Sequence, residues 1–164
     1  MNLKPIPNYE GLYSLDLNNN QVFGHKKKKY LKPTTNDKRY YEMKLYKNNK
    51  GKIFKLHRLI YETYNGSIPD KMEIDHIDND RQNNNIENLR VVTHSENQWN
   101  RKTQKNNLST GYKCIYKTKH NTYKVQITIN KKVIYYKTFK TLEEAIINRD
   151  IKLKELHGEY ANLG

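Results

Sequence analysis

At 164 residues the chain is long enough for one ordinary domain or for a few small modules. Only 35% of it is hydrophobic, which argues against a large single core and for small modules with thin ones. With 31 basic and 17 acidic residues the net charge is +14, a field that draws polyanions, and nucleic acid is the leading class because many Lys–phosphate contacts release counterions. The 14 tyrosines scattered among the lysines fit that reading, since aromatic rings stack on bases. Cys114 stands alone, which excludes an intramolecular disulfide and a multi-cysteine zinc site. Residues 1–9 contain Lys4, Pro5 and Pro7 without an apolar core, and no run approaches membrane-spanning length, so a soluble, intracellular protein is expected.

In chain order, residues 1–53 read as a small β module. Tyr13 to Leu17 and Tyr40 to Tyr46 alternate as strands do, while Asn18-Asn19-Asn20, Thr34-Thr35-Asn36-Asp37 and Asn48-Asn49-Lys50-Gly51 read as turns. The Lys26 to Lys29 run falls between strands, as a solvated loop that is also suited to phosphate. Residues 54–104 form the second segment. Leu56, Leu59, Ile60, Thr63 and Tyr64 recur at helical spacing, and Asn65-Gly66 ends that helix. Met72 to His76 and Leu89 to Val92 read as strands separated by a loop rich in Asp and Asn. Thr93 and Glu96 have capping-box spacing, which opens a helix running to about Lys102.

Residues 105–108 read as a linker, and 109–164 as a third segment of strands followed by a helix. Tyr123 to Ile129 alternates well, Asn130-Lys131-Lys132 turns the chain, and Val133 to Phe139 follows. Thr141 and Glu144 form a second capping-box pattern. Leu142, Ala145, Ile146, Leu153 and Leu156 then lie on one helical stripe, which His157-Gly158 closes.

The residues that carry chemistry lie in the second segment. His57-Arg58-Leu59, Pro69, Asp75-His76-Ile77-Asp78, the asparagines 83–85, Asn88-Leu89-Arg90 and Glu96-Asn97 follow one another in order. In this combination the chain resembles the HNH endonucleases, especially the homing type of phages and introns. The resemblance implies an α+β protein with a ββα-metal nuclease core, flanked by a small N-terminal β module and a C-terminal three-stranded sheet plus helix. It implies that Asp75 and Asn97 bind one divalent metal and that His76 is the general base. Asn88 would orient His76 or brace the loop, and His57 and Asp78 would play supporting parts. The chemistry suits these residue types: imidazole takes a proton near neutral pH, and hard oxygen donors favour Mg²⁺, with Mn²⁺ next.

The flanks carry their own resemblances. Ile6 to Leu15, with Tyr9-Glu10-Gly11 and Tyr13-Ser14, looks like the N-terminal modular motif of homing HNH nucleases. Ser109-Thr110-Gly111-Tyr112, Tyr123 to Ile127, Tyr136 to Phe139, Leu142 to Ala145 and His157-Gly158 are similar to the plant APETALA2/ethylene-response-factor DNA-binding domain. In that domain a sheet face lies against double-stranded DNA. Alternation then puts Val125, Ile127 and Ile129 toward the helix and Lys124, Gln126 and Thr128 toward DNA, joined by Tyr135, Lys137, Lys113 and Lys117.

The expectation is a site-directed DNA endonuclease, monomeric or homodimeric, that nicks or cuts both strands. Two other classes compete: a non-catalytic DNA-binding regulator using the C-terminal segment, and an RNA-binding protein.

Overall fold

The computed structural model describes residues 1–101, 109–129 and 131–163. These divide into two compact units, Met1–His94 and Ser95–Gly164.

The first unit opens with a four-stranded antiparallel sheet of β1 (Leu3–Pro5), β2 (Tyr13–Asp16), β3 (Gln21–Gly24) and β4 (Lys29–Tyr30), in that order. The turn at Asn18–Asn20 forms because the buried Asp16 carboxylate accepts from the Asn18 and Asn2 amides and from the Tyr30 hydroxyl. A second sheet holds β5 (Thr34–Thr35), β6 (Tyr41–Lys47) and β7 (Lys50–Lys55). Asn48 and Asn49 have φ of 51° and 61°, the doubly left-handed pair that a tight two-residue hairpin requires and that asparagine tolerates.

Two expectations change here. Thr34-Thr35 forms a short strand opposite Glu42 and Tyr41 instead of a turn, in keeping with the branched threonine side chains. The boundary expected between residues 53 and 54 falls inside β7.

Helix α1 (Leu56–Asn65) follows directly, and Gly66, at φ 89°, ends it by donating its amide to the Glu62 carbonyl. Leu56, Leu59 and Ile60 bury one face of α1 against Ile6, Leu15, Met43 and Leu45. The same core takes in Ile74 from β8 (Glu73–His76) and Leu89 from β9 (Leu89–Val92), a two-stranded antiparallel ribbon. The ribbon's catalytic-type residues are thus anchored by apolar neighbours on either side of them.

Helix α2 (His94–Asn100) starts at the last residue of the first unit and otherwise belongs to the second. There, β10 (Ile115–Lys117), β11 (Tyr123–Ile129) and β12 (Lys132–Phe139) form an antiparallel sheet covered on one face by α3 (Leu142–His157). Ile115, Val125, Ile127, Phe139, Ala145 and Leu153 make that core. The Thr141 hydroxyl accepts from the Glu144 amide, and the Glu144 carboxylate accepts from the Thr141 amide, which completes the expected box. The expected linker 105–108, the helix end at Lys102 and the turn residue Asn130 lie outside the described residues. No helix among the described residues is long and apolar enough to cross a membrane.

Candidate active site

The β8–β9 ribbon sets the site. Its register places Asp75 opposite Arg90 and His76 opposite Leu89. Arg90 donates Nε to Asp75 Oδ2 at 3.0 Å, and a second guanidinium nitrogen lies 3.0 Å from the same oxygen. Asp75 and His76 are both buried, yet they meet different surroundings, as neighbours on a strand do. The His76 ring faces Asn84, His57 and Tyr40: its Nε2 lies 3.0 Å from Asn84 Oδ1, and its centroid is 5.1 Å from that of His57 and 6.0 Å from that of Tyr40.

The loop between the strands is held by its own side chains. Asn88 Oδ1 accepts from the Asp78 amide at 3.0 Å, while Asn88 Nδ2 donates to Asp78 Oδ1 at 2.9 Å and to the Asn83 carbonyl at 2.8 Å. Asp78 Oδ2 accepts from Asn83 Nδ2, and Asp78 Oδ1 accepts from the Asp80 amide. Burial, the largest influence on the Asp78 carboxyl, raises its pKa. The bonds from Asn83, Asp80 and Asn88, together with the charge of His76, outweigh burial and leave the pKa below the usual carboxylate value. The Asn88 side chain bonds within the loop, to Asp78 and Asn83, and the Asn84 side chain meets the His76 ring.

His57 is 4% exposed and its Nδ1 has no hydrogen-bond partner. Burial, then the nearby positive charges of His76, Lys55 and Arg58, lowers its pKa to about 3, so the ring is neutral at ordinary pH. Its place is that of a packing partner to His76. Tyr40 continues the stack, 5.2 Å from His57, with Arg81 and Lys55 over its ring at 5.0 and 5.5 Å.

Sequence reasoning had not singled out Asn84, Arg90 or Tyr40 for roles at His76 and Asp75. Asn84 lies within the 83–85 asparagine run and Arg90 within Asn88-Leu89-Arg90, and only the register and burial separate them from their neighbours.

In the second unit, Asn97 is half-buried on α2. The carbonyl end of that helix is capped from within the unit. Lys113 Nζ donates to the Trp99 and Arg101 carbonyls at 3.1 and 3.4 Å, and Asn162 donates to the Asn100 carbonyl at 2.7 Å. Trp99 stacks on His157 with centroids 4.2 Å apart.

The expected DNA-facing set is only partly on one face. The register pairs Val125 with Lys137 and Ile127 with Tyr135, which puts Tyr135 and Lys137 on the helix side of the sheet. Tyr135 packs on the core there. The β12 residues on the outer face are Tyr136 and Thr138, opposite Gln126 and Lys124. Lys117 pairs with Tyr123 on the helix side, exposed at the strand end, and Lys113 turns its ammonium inward to α2, where burial lowers its pKa. Lys124 stays outward, its Nζ 5.1 Å from the Tyr116 ring and 5.9 Å from that of Tyr136. Thr128 is exposed, with a register shift between it and Ile127.

Among the described residues no three His, Cys, Asp or Glu side chains gather as a metal cage. The Asp75 carboxylate in the first unit and the Asn97 amide oxygen in the second are each hard oxygen donors of the kind Mg²⁺ and Mn²⁺ favour.

Known proteins share parts of this sequence and fold. The HNH endonuclease family model matches residues 54–99. The chain is 35% identical over 107 residues to an uncharacterized HNH endonuclease of Acanthamoeba polyphaga mimivirus and 36% over 106 residues to DNA endonuclease I-HmuI of Bacillus phage SP01. These matches cover 65% and 63% of this chain but only 54% and 60% of those relatives. Protein 3.8 of Escherichia phage T7 is 34% identical, with 64% of this chain and 86% of that protein covered. The solved structure described as DNA binding and cleavage by the HNH homing endonuclease I-HmuI superposes with a TM-score of 0.57 at 25% identity, covering 96% of this chain and 91% of that one. The mixed α and β architecture matches that of this HNH nuclease, and residues 54–99 carry the segment that belongs to the HNH endonuclease family.

Proposed function

We propose that the protein is a homing-type DNA endonuclease that hydrolyses phosphodiester bonds by a one-metal mechanism. The observation that carries the reading is the pair Asp75–His76, buried side by side at the end of β8 and held by different partners, Arg90 and Asn84. His76 takes a proton from the attacking water as the water oxygen bonds to phosphorus. The P–O bond to the 3′ oxygen breaks, which leaves 3′-hydroxyl and 5′-phosphate ends. Asp75 and Asn97 would hold a Mg²⁺ or Mn²⁺, which when bound stabilises the charge on the phosphate and on the departing oxygen. Asn88 keeps the loop closed beneath His76, and the Tyr40–Arg81–Lys55 stack offers cationic groups to the strand. The outward Tyr116, Lys124, Gln126 and Tyr136 supply the C-terminal contact with double-stranded DNA, in the manner of the APETALA2 sheet.

The test is incubation of supercoiled plasmid with Mg²⁺, Mn²⁺ or EDTA. Open-circular product should form only with metal, and DNA ligase should reseal it. Absence of metal-dependent nicking across several DNA substrates would reject the enzyme reading and leave a DNA-binding protein.

A further inference from the structure

We infer that Asn84 is the positioning residue for His76, fixing both its orientation and its tautomer. The inference rests on His76 being the general base. Three asparagines stand in succession at 83–85, and only Asn84 is buried. Its Oδ1 meets His76 Nε2 at 3.0 Å, away from solvent. An amide oxygen only accepts, so the bond requires the hydrogen on Nε2. In the neutral ring the lone pair then belongs to Nδ1, the nitrogen that must take the proton. The edge-to-face ring of His57, at 74°, and the tilted ring of Tyr40 fix the imidazole plane.

Asn84 is itself held. Its amide donates to the Gln82 carbonyl at 3.0 Å, and the preceding residue is tied to Asp78 and Asn88. Asn88 thus acts on His76 at one remove, by closing the loop that delivers Asn84. Asn84 also lines a cleft with Leu17, Val22, Leu56 and Ile86, so the similarly shaped Asn84→Leu change meets apolar neighbours without crowding.

The experiment compares the native protein with Asn84→Leu, Asn84→Asp and His76→Ala. One readout is plasmid nicking at saturating DNA and Mg²⁺. The other is ¹⁵N NMR of the His76 ring in metal-free protein, at a pH where the ring is neutral. Asn84→Leu should lower kcat about 10- to 100-fold with little change in KM, as loss of an orienting partner does. Asn84→Asp, which keeps an acceptor oxygen, should recover much of that loss. The native ring should carry its hydrogen on Nε2, and Asn84→Leu should show a mixture of tautomers. Native nicking that His76→Ala abolishes but Asn84→Leu leaves unchanged would overturn the inference and spare the enzyme reading. A native ring protonated on Nδ1 would overturn it even if the Leu variant failed to fold. Absence of nicking by the native protein would remove the enzyme reading, while the NMR result would still decide the tautomer.

Discussion

Arg90 stands directly opposite Asp75 across the β8–β9 ribbon and closes two guanidinium nitrogens on one carboxylate oxygen, both at 3.0 Å. The Asp75 side chain is 7% exposed and that of Arg90 16%, so this is a desolvated pair. Removing either partner takes two charge-assisted contacts from a buried group. Arg90→Leu should therefore lower stability in urea unfolding by about 1.5–3 kcal/mol. Asp75→Asn, which keeps an acceptor, should cost less, and the double change should cost less than the sum. Strict additivity of the two would contradict a direct pairing.

His57 gives the fold a pH dependence of known sign. Its pKa is about 3 in the folded chain against an ordinary 6.5, so between those values the unfolded chain binds more protons. The stability from the neutral buried ring is fully present above pH 6.5 and is lost as pH falls toward 3. Urea unfolding of the native protein at successive pH values should show stability rising across that window. His57→Phe should flatten the rise relative to native. An equal slope in both proteins would contradict the assignment.

Asn88 and Asp78 form a local lock. Asn88→Ala removes three hydrogen bonds to the loop and should destabilise the first unit by about 2–3 kcal/mol at roughly 1 kcal/mol each. Asn88→Asp should be worse than Asn88→Ala at pH 7, because it sets a second carboxylate against Asp78, and the gap should narrow in acid as the introduced carboxyl protonates beside that charge. Unfolding curves at pH 7 and pH 4 check both statements.

Lys113 and Lys124 should separate cleanly, although both were expected at the DNA. Lys113→Met leaves the carbonyls of Trp99, in α2, and of Arg101, just beyond it, without the ammonium that caps them and should lower the thermal stability of the second unit. Lys124→Ala, on the outer face between two tyrosines, should leave stability within about 0.5 kcal/mol and weaken DNA binding, reducing its salt slope by about 1. Melting curves with binding titrations at two salt concentrations distinguish them.

The legible parts of the sequence were those with contrast. In β11 polar and apolar residues alternate, and Thr141 with Glu144 forms the capping box as spaced. The Asp-His and Asn-Leu-Arg clusters marked the ribbon strands. Other features have no local signal. Val133 to Phe139 lacks polar alternation, so only pairing with β11 decides which side Tyr135 and Tyr136 take. Asn83, Asn84 and Asn85 are chemically identical, and the fold selects which one reaches His76. The Arg90–Asp75 pair depends on a register set across a long loop. Lys113 turns inward because its long apolar stem lets the ammonium reach the helix carbonyls, which charge counting reads as surface.

The central claim is that His76 is the base of a nuclease site. Its most direct measurement is the single-turnover nicking rate of native protein and His76→Ala on the same plasmid with Mg²⁺, at protein concentrations where both bind the DNA equally. His76→Ala should lose about 10²-fold or more in rate, with binding unchanged. Nicking by His76→Ala at the native rate would contradict it.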